Sequence, residues 1–149
     1  VHGCLLALHE YIPKYKIANE GAIINLSSTA GLGAYPNIPV YAATKHAILG
    51  LTRSWGHEKH FAETKVRVMA ICPNATGTPL LETMPGKNLG SRYEEFFQQS
   101  VSNNEFKIQS TDSVAKCIIH MLNSAKSASV WLVDNGEYCE LKLPDIEAM

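Results

Sequence analysis

Residues 22–53 read AIINLSSTAGLGAYPNIPVYAATKHAILGLTR, and this stretch decides the fold of the chain. Its first residues form an apolar run of strand length that ends at Ser28, and a loop rich in Gly and Pro separates this run from a helical pattern. Tyr41 and Lys45 lie four residues apart in the helical part, so a helix places both side chains on one face. A serine at the end of the strand can meet that pair, which predicts a hydroxyl, a phenol and an ammonium in one small volume.

These three side chains suit one kind of chemistry. A free phenol is a poor base at neutral pH, but a neighbouring ammonium favours the phenolate form. Lys45 would therefore enable Tyr41 to act as a general acid and base. The Ser28 hydroxyl could hydrogen-bond a substrate oxygen that becomes alkoxide-like as a hydride leaves or arrives. The set predicts interconversion of an alcohol and a carbonyl group beside a hydride-carrying cofactor.

Ser28, followed thirteen residues later by Tyr41-Ala42-Ala43-Thr44-Lys45, matches in order and spacing the Ser and Tyr-x-x-x-Lys pattern of the short-chain dehydrogenase/reductases. The chain resembles this family from its start to about Gly136. The resemblance implies that Tyr41 is the catalytic acid and base, that Lys45 binds the nicotinamide ribose and tunes Tyr41, and that Ser28 orients the substrate oxygen. Apolar strands that alternate with helices predict a parallel α/β sheet. The resemblance makes this sheet the second half of a doubly wound, Rossmann-like fold.

Within the family, the segments NLSSTAGL and VYAATKHAILGLTRS look most similar to NAD-dependent hydroxyprostaglandin dehydrogenases and insect alcohol-dehydrogenase-like members. This likeness implies NAD as cofactor, with NADP as the alternative, because the family's residues that choose between the two lie upstream. It implies a secondary alcohol or ketone as substrate. Two other functions fit the same residues: an epimerase or dehydratase on this scaffold, and a non-catalytic truncated subunit or interaction partner.

A second Tyr-x-x-x-Lys, from Tyr138 to Lys142, is predicted to be a chance match. The residue thirteen positions before Tyr138 is Ala125 rather than a serine. Apolar and polar residues alternate from Tyr138 to Leu143, which is typical of an extended segment. A strand holds residues four apart at a separation of roughly 13 Å, which is too far for the phenol and the ammonium to cooperate.

A second apolar run, Val66–Cys72, is predicted to be a strand that ends at Pro73. The loop after it lies at the carboxyl end of a strand, where open α/β sheets bind ligands. The family resemblance implies that this loop contacts the cofactor through Pro73, Asn74, Thr76, Gly77 and Thr78. Of these, Thr76, Gly77 and Thr78 would contact the nicotinamide carboxamide. The family has Gly where this chain has Asn74. If that position requires a positive φ, Asn is the least costly replacement, and cofactor contact is expected to be retained but weakened.

The segment from Leu80 to Phe106 carries many apolar side chains around a Pro85-Gly86 break. In the resembled family the equivalent segment closes over the substrate, and the residues expected to contact substrate are Ser28, Ile38, Leu80 and Met84. Phe96 and Phe97 have two interpretations: they line the pocket, or they anchor a surface helix on the core. If they line the pocket, the substrate has a sizeable apolar part.

The helix after Pro39 is predicted to run to about Phe61 and to carry a small-residue stripe, which consists of Ala43, Ala47, Gly50 and Ser54. One interpretation of the stripe is a self-association face, and the other is packing against the sheet. The family resemblance favours the first and implies a homodimer or homotetramer formed through helix 40–61. The run His57-Glu58-Lys59-His60 lacks the spacing of the zinc-protease motif, so a solvated helix end is expected there rather than a metal site.

Three further elements are predicted from the remaining sequence. Residues 1–17 form a helix interrupted at Pro13, with its apolar positions at Leu5, Leu6, Leu8, Tyr11 and Ile12. Residues 110–113 cap a helix from about 114 to 123, with a buried stripe of Val114, Cys117, Ile118, Met121 and Leu122. Residues 130–133 form a short strand, and the tail from Glu137 is polar and extended.

Composition limits the possible partners and compartment. The 149 residues are 46% apolar and 18% charged with a net charge of −1, which is typical of one globular domain that binds neither nucleic acid nor an anionic membrane surface. No apolar run reaches the roughly 18 residues of a membrane span. The four cysteines show no metal or redox spacing, so reduced thiols and a cytoplasmic location are expected.

A Gly-rich strand-to-helix turn of the dinucleotide-binding type does not occur in the sequence. In the resembled family that turn lies upstream of a segment like this one. Residues 1–149 are therefore expected to be the carboxyl-terminal part of a single Rossmann-like domain, and the isolated chain is expected to lack activity.

Overall fold

The computed structural model describes residues 2–15, 20–105 and 107–144. The predictions that concern Val1, Ile17 and Phe106 lie outside these residues. The helices are α1 His2–Leu6, α2 Ile12–Tyr15, α3 Pro39–Trp55, α4 Glu58–Thr64, α5 Pro79–Glu82, α6 Ser91–Ser102 and α7 Thr111–Ser124. The strands are β1 Gly21–Leu26, β2 Val66–Pro73, β3 Val130–Asp134 and β4 Glu137–Leu141. A π-helical turn, Ala7–Tyr11, joins α1 to α2, and a short 3-10 helix, Thr29–Gly31, follows β1.

The four strands form one sheet in the order β1-β2-β3-β4. β2 pairs in parallel with β1 and with β3, in registers that set Ile24 opposite Met69 and Ile71 opposite Trp131. β4 pairs antiparallel with β3 and is the tail that the sequence predicts to be extended. Tyr138 lies in β4, so the second Tyr-x-x-x-Lys begins in a strand, as predicted. The predicted α/β fold with a parallel sheet is confirmed.

β2 forms the centre of the core because its side chains are buried on both faces of the sheet. Met69 and Ile71 pack against α7 on one face, and Val68 and Ala70 pack against α1 and α3 on the other. All four are 0% exposed. An apolar run without alternation is what a parallel strand covered on both faces requires, and each large side chain buried in this way contributes about 1.5–3 kcal/mol.

A π-helical turn interrupts the amino-terminal helix at residues 7–11, and Pro13 lies within α2, so the interruption comes earlier than the predicted one at Pro13. Cys4 and Leu8 are buried, but Leu6 is 36% exposed and Tyr11 is 58% exposed. The prediction that these two side chains belong to the apolar face is therefore wrong. The face towards the sheet runs through Cys4 and Leu8, and the wider π turn carries Tyr11 away from it.

The helix predicted to reach about residue 61 is two helices, α3 and α4. Gly56 lies between them, and a Cβ at this position would lie 2.6 Å from Val68 O and would also overlap the backbone of Ala128. The chain leaves the helical conformation at His57, which has φ −55° and ψ 146°. His57 then caps α4, since the Lys59 N–H donates to its Nδ1 at 3.3 Å. The run His57–His60 is therefore the beginning of a helix, and not the end of the preceding one.

All four residues of the small-residue stripe are exposed on α3. This helix packs on the core through Ala42, Leu49 and Thr52, which are at most 7% exposed. The interpretation in which the stripe packs against the sheet is therefore wrong for this chain. None of the helices within the described ranges is long and apolar enough to cross a membrane.

α7 begins where the sequence predicts, with Ser110 as its N-cap: the Asp112 N–H donates to Ser110 Oγ at 3.1 Å. Cys117 and Met121 are 0% exposed, but Leu122 is 46% exposed. Leu122 was predicted in the buried stripe and falls outside it, because one residue turns a helix by about 100° from the line through Cys117 and Met121.

Candidate active site

Two consecutive serines, Ser27 and Ser28, follow the end of β1 and have different contacts. Ser27 is buried, and its hydroxyl donates to Lys45 O at 2.9 Å, which fixes α3 against the strand. Ser28 has an extended backbone and lines a cavity. Its Oγ accepts from the Ala30 N–H at 3.2 Å and donates to Pro73 O at 3.5 Å. Gly31 makes this packing possible, because a Cβ there would lie 2.7 Å from Ser27 Oγ.

α3 brings Tyr41 and Lys45 to the same cavity wall as Ser28. Pro39 occupies the first turn of this helix, where its missing N–H costs nothing. The Lys45 Nζ donates to Leu26 O at 2.9 Å and lies 5.4 Å from the centre of the Tyr41 ring. The structure therefore brings together the hydroxyl, phenol and ammonium that the spacing predicts in one volume.

Cys72 lies behind this group at the end of β2. Burial raises the pKa of the Cys72 thiol to about 11, although a hydrogen bond with Ser27 and the charge of Lys45 act in the opposite direction. The thiol therefore stays neutral at physiological pH and does not neutralise the ammonium. Burial also lowers the pKa of Lys45 from its ordinary value. All four cysteines are free thiols, and of these Cys139 alone is exposed.

The loop after β2 is held by the side chain of Asn74. Its Nδ2 donates to Asp134 Oδ1 at 2.9 Å, and its Oδ1 accepts from the Ala75 N–H at 2.8 Å. Asn74 is not among the described residues with a positive φ. A positive φ is therefore not the reason for Asn at this position. Asn74 instead stabilises the loop through the hydrogen bonds of its side-chain amide.

Gln109 also holds this loop, and no pattern in the sequence points to it. It is 7% exposed, and its Nε2 donates to Val133 O at 2.9 Å, with longer contacts of 3.4 Å to Asn74 O and 3.5 Å to Thr76 Oγ1. Its Oε1 accepts from the Gly136 N–H at 3.3 Å. Its backbone forms an isolated parallel bridge with Thr76. A single buried amide thus connects the loop to the turn between β3 and β4.

The cavity has a volume of about 570 Å³. Nine of the residues predicted to contact cofactor or substrate line it together with Tyr41, namely Ser28, Ile38, Lys45, Pro73, Asn74, Thr76, Thr78, Leu80 and Met84. Gly77 does not line it. That residue is exposed, and its N–H donates to Gln109 O at 2.9 Å.

The two phenylalanines of α6 differ in their surroundings, and Phe97 takes both of the roles that the sequence left open. Phe97 is 4% exposed and lines the cavity, so it anchors α6 and also contributes to the wall. Phe96 lies outside this cavity and packs edge-on against Tyr93 at a centroid distance of 6.5 Å. The chain as described contains no group of three or more His, Cys, Asp or Glu side chains placed to hold a metal ion.

Several curated proteins are similar to most of this chain. Fat body protein 2 of Drosophila melanogaster is 31% identical over 131 residues, which are 88% of this chain and 50% of that protein. The 15-hydroxyprostaglandin dehydrogenase [NAD(+)] of Rattus norvegicus is 33% identical over 82% of this chain and 46% of its own length. Alcohol dehydrogenase 2 of Ceratitis capitata is 29% identical over 83% of this chain and 46% of its own length. The chain therefore spans about half the length of these relatives.

Solved structures share the fold. A 4-hydroxyisoleucine dehydrogenase complexed with NADH superimposes with a TM-score of 0.66 at 23% identity, over 91% of this chain and 55% of that one. ElxO with NADP bound gives a TM-score of 0.63 at 24% identity, over 91% and 54% of the two chains. The family model described as short chain dehydrogenase matches residues 1–88, which are more than half of the sequence. The chain belongs to the short-chain dehydrogenase family.

Proposed function

We propose that the protein carrying this chain is a nicotinamide-dependent oxidoreductase that interconverts a secondary alcohol and a ketone, with Tyr41 as acid and base. The observation that carries the proposal is the position of the Lys45 ammonium, which lies between Leu26 O and the Tyr41 ring on the cavity wall that also presents Ser28. This arrangement sets a positive charge beside the phenol that would exchange a proton with the substrate oxygen.

In the oxidative direction, Tyr41 accepts the hydroxyl proton of the substrate, and Ser28 donates a hydrogen bond to the same oxygen. The Ser28 hydroxyl is available for this role because its present acceptor, Pro73 O, lies at 3.5 Å, the outer limit of a hydrogen bond. When bound, a nicotinamide supplies the hydride acceptor. In the reductive direction, Tyr41 returns the proton to the carbonyl oxygen.

The residues at this site fit a nicotinamide nucleoside. The Lys45 ammonium has three N–H donors and uses one on Leu26 O, so two remain for the hydroxyls of a ribose. Thr76 and Thr78 line the cavity, where a carboxamide could hydrogen-bond their hydroxyl groups, and the Thr76 hydroxyl at present donates to Asn74 O at 2.8 Å. Tyr41, Pro73 and Asn74 complete this wall, and Gly77 lies beside it. NAD and NADP offer the same nicotinamide end, and the name of the rat relative favours NAD.

The apolar side chains in the cavity wall support a substrate with a sizeable apolar part. Ile38, Leu80 and Met84 line the cavity with Phe97. Leu80 is 61% exposed, and a bound apolar group would cover it. Burial of each methylene of such a group would contribute about 0.8 kcal/mol.

The test compares two tyrosines in the complete natural polypeptide that carries this sequence. Tyr41→Phe should lower kcat by more than about tenfold, or ~1.4 kcal/mol of barrier, and leave NAD affinity nearly unchanged, because only the phenol oxygen is removed. Tyr138→Phe, in the second Tyr-x-x-x-Lys, is the matched control and should change neither quantity. A kcat of Tyr41→Phe within about tenfold of the parent value would end the assignment of Tyr41 as acid and base.

Lys45 has two proposed roles, which are to bind the nicotinamide ribose and to place a positive charge beside Tyr41. An experiment can distinguish both from a purely structural role. Lys45→Ala should weaken NAD binding, because the donors to the ribose are lost, and should lower kcat at saturating NAD, because the positive charge beside the phenol is removed. Calorimetric titration with NAD and initial rates at saturating NAD measure the two effects. Unchanged NAD affinity with reduced thermal stability would make Lys45 a structural residue instead.

A further inference from the structure

A second cleft adjoins the catalytic cavity. Its volume is about 430 Å³, and it shares three wall residues with the cavity, namely Tyr35, Asn37 and Asn74. The rest of its wall comes from the loop before α3 and from the carboxyl-terminal half of α6 with the residues that follow it: Ala34, Pro36, Phe96, Gln99, Ser100, Asn103 and Glu105. The two spaces therefore meet beside the loop that leads into Tyr41.

Asn37 stands at this junction with an unused amide. The residue is 6% exposed, and its side chain has no hydrogen-bond partner among the residues that the structure describes. None of the described buried side-chain polar atoms is both unpartnered and sealed from the surface, so the Asn37 amide is open to the cavity. Water can reach this amide while the cavity is empty, and a ligand group that hydrogen-bonds Asn37 would take the place of that water.

The chemistry of the cleft selects the kind of ligand group. Asn37, Gln99 and Asn103 carry amides, which both donate and accept hydrogen bonds. Glu105 is an acceptor, and hydrogen bonds from Ser100 and Asn103 hold the pKa of its carboxyl below its usual range. The described residues that line the cleft include no Lys, Arg or His. A neutral hydroxyl or amide fits this wall, whereas a carboxylate would face Glu105 without a countercharge.

We propose that Asn37 positions the substrate, and that the substrate is a secondary alcohol with a neutral hydroxyl or amide group next to its carbinol carbon. This inference rests on the proposed oxidoreductase function. The polar group occupies the cleft and hydrogen-bonds Asn37, the apolar part occupies the cavity, and the carbinol lies between them at Tyr41. Asn37 and Tyr41 both line the cavity, so a substrate held by the Asn37 amide presents one carbon to the phenol.

Three probe alcohols of equal chain length test this arrangement in the complete natural polypeptide with NAD. Octane-1,2-diol carries the neutral neighbouring hydroxyl, octan-2-ol lacks it, and 2-hydroxyoctanoate carries a carboxylate in its place. We expect kcat/KM to fall in that order, with the diol favoured over octan-2-ol by about tenfold, the effect of one satisfied buried hydrogen bond. Asn37→Leu should reduce this preference to about twofold. Asn123→Leu, on the exposed surface of α7, is the matched control.

A variant outside the buried loop keeps the test informative if Asn37→Leu does not fold. Glu105→Gln changes an exposed residue and should raise kcat/KM for 2-hydroxyoctanoate relative to the diol, because the repelling charge is gone. Equal use of the three alcohols by the parent protein, or an unchanged diol preference in Asn37→Leu, would overturn the inference alone. Failure of a folded, NAD-binding protein to oxidise any of the three would overturn the proposed function and the inference with it.

Discussion

Replacement of Gln109 by Met tests whether a buried amide holds the loop of residues 73–78 in place. Methionine has nearly the same length and shape as glutamine but cannot donate to Val133 O or accept from the Gly136 N–H. The substitution therefore removes the hydrogen bonds and leaves the packing almost unchanged. The backbone bridge between residues 76 and 109 remains in the variant.

The expected loss of unfolding free energy in Gln109→Met depends on which hydrogen-bond partners Val133 O and the Gly136 N–H keep in the variant. Val133 O also accepts from the Asn74 N–H at 2.9 Å, so it does not become an unpartnered buried acceptor. Gly136 is exposed, and water can replace Gln109 Oε1 at its N–H. The loss is therefore one good hydrogen bond and several long ones, about 1–2 kcal/mol of unfolding free energy. In a domain of this size that corresponds to a fall in Tm of about 2–8 °C.

Two measurements check the reasoning. Thermal and urea unfolding followed by circular dichroism should give the stated loss, and Gln98→Met on the exposed face of α6 should stay within about 0.5 kcal/mol of the parent. In the complete natural polypeptide, Gln109→Met should weaken NAD binding and leave kcat at saturating cofactor nearly unchanged, because the loop is loosened and Tyr41 is not. Parental stability, or a fall in kcat with parental NAD affinity, would refute the role assigned to Gln109.

Three further predictions concern charge, pH and association. The Arg67 guanidinium donates to Met121 O, Leu122 O and Ala125 O at the end of α7, at 3.2, 2.8 and 2.6 Å, so Arg67→Met should cost about 1.5–3 kcal/mol of unfolding free energy. Arg67→Lys should recover part of it, and equal stability of the three proteins would remove the capping role. Because burial raises the pKa of Cys72 to about 11 from 9.0, the neutral thiol contributes stability that is complete below pH 9 and is lost as pH rises through about 11. Urea midpoints across that range should therefore fall less steeply for Cys72→Ala than for the parent, and parallel curves for the two proteins would contradict the assignment. We also propose that the small-residue stripe is a homodimer face. Gly50 is a position where a Cβ meets nothing within 4 Å, so Gly50→Arg should not disturb the fold and should raise helix propensity by up to ~1 kcal/mol. The variant should be a monomer in sedimentation equilibrium, and a dimer that persists would place the interface elsewhere.

The sequence alone determined the elements whose signals are local. Helical geometry places residues four apart on one face, so Tyr41 and Lys45 were bound to be neighbours once α3 formed. The apolar run of β2 required a strand covered on both faces, and Ser110 marked the beginning of α7. Each of these follows from spacing or residue type within one segment, which a single sequence displays directly.

Tertiary structure alone decided the features that join segments distant in the chain. Gln109 hydrogen-bonds Val133, which is 24 residues away, and Arg67 hydrogen-bonds Met121, which is 54 residues away. Neither contact belongs to a periodic pattern in the sequence. The need for Gly at position 56 depends on how closely the backbone of Ala128 approaches, and the open amide of Asn37 exists only where two cavities adjoin. Burial and hydrogen-bond satisfaction are properties of the packed chain. They are set by which surfaces meet, and a local pattern does not contain that information.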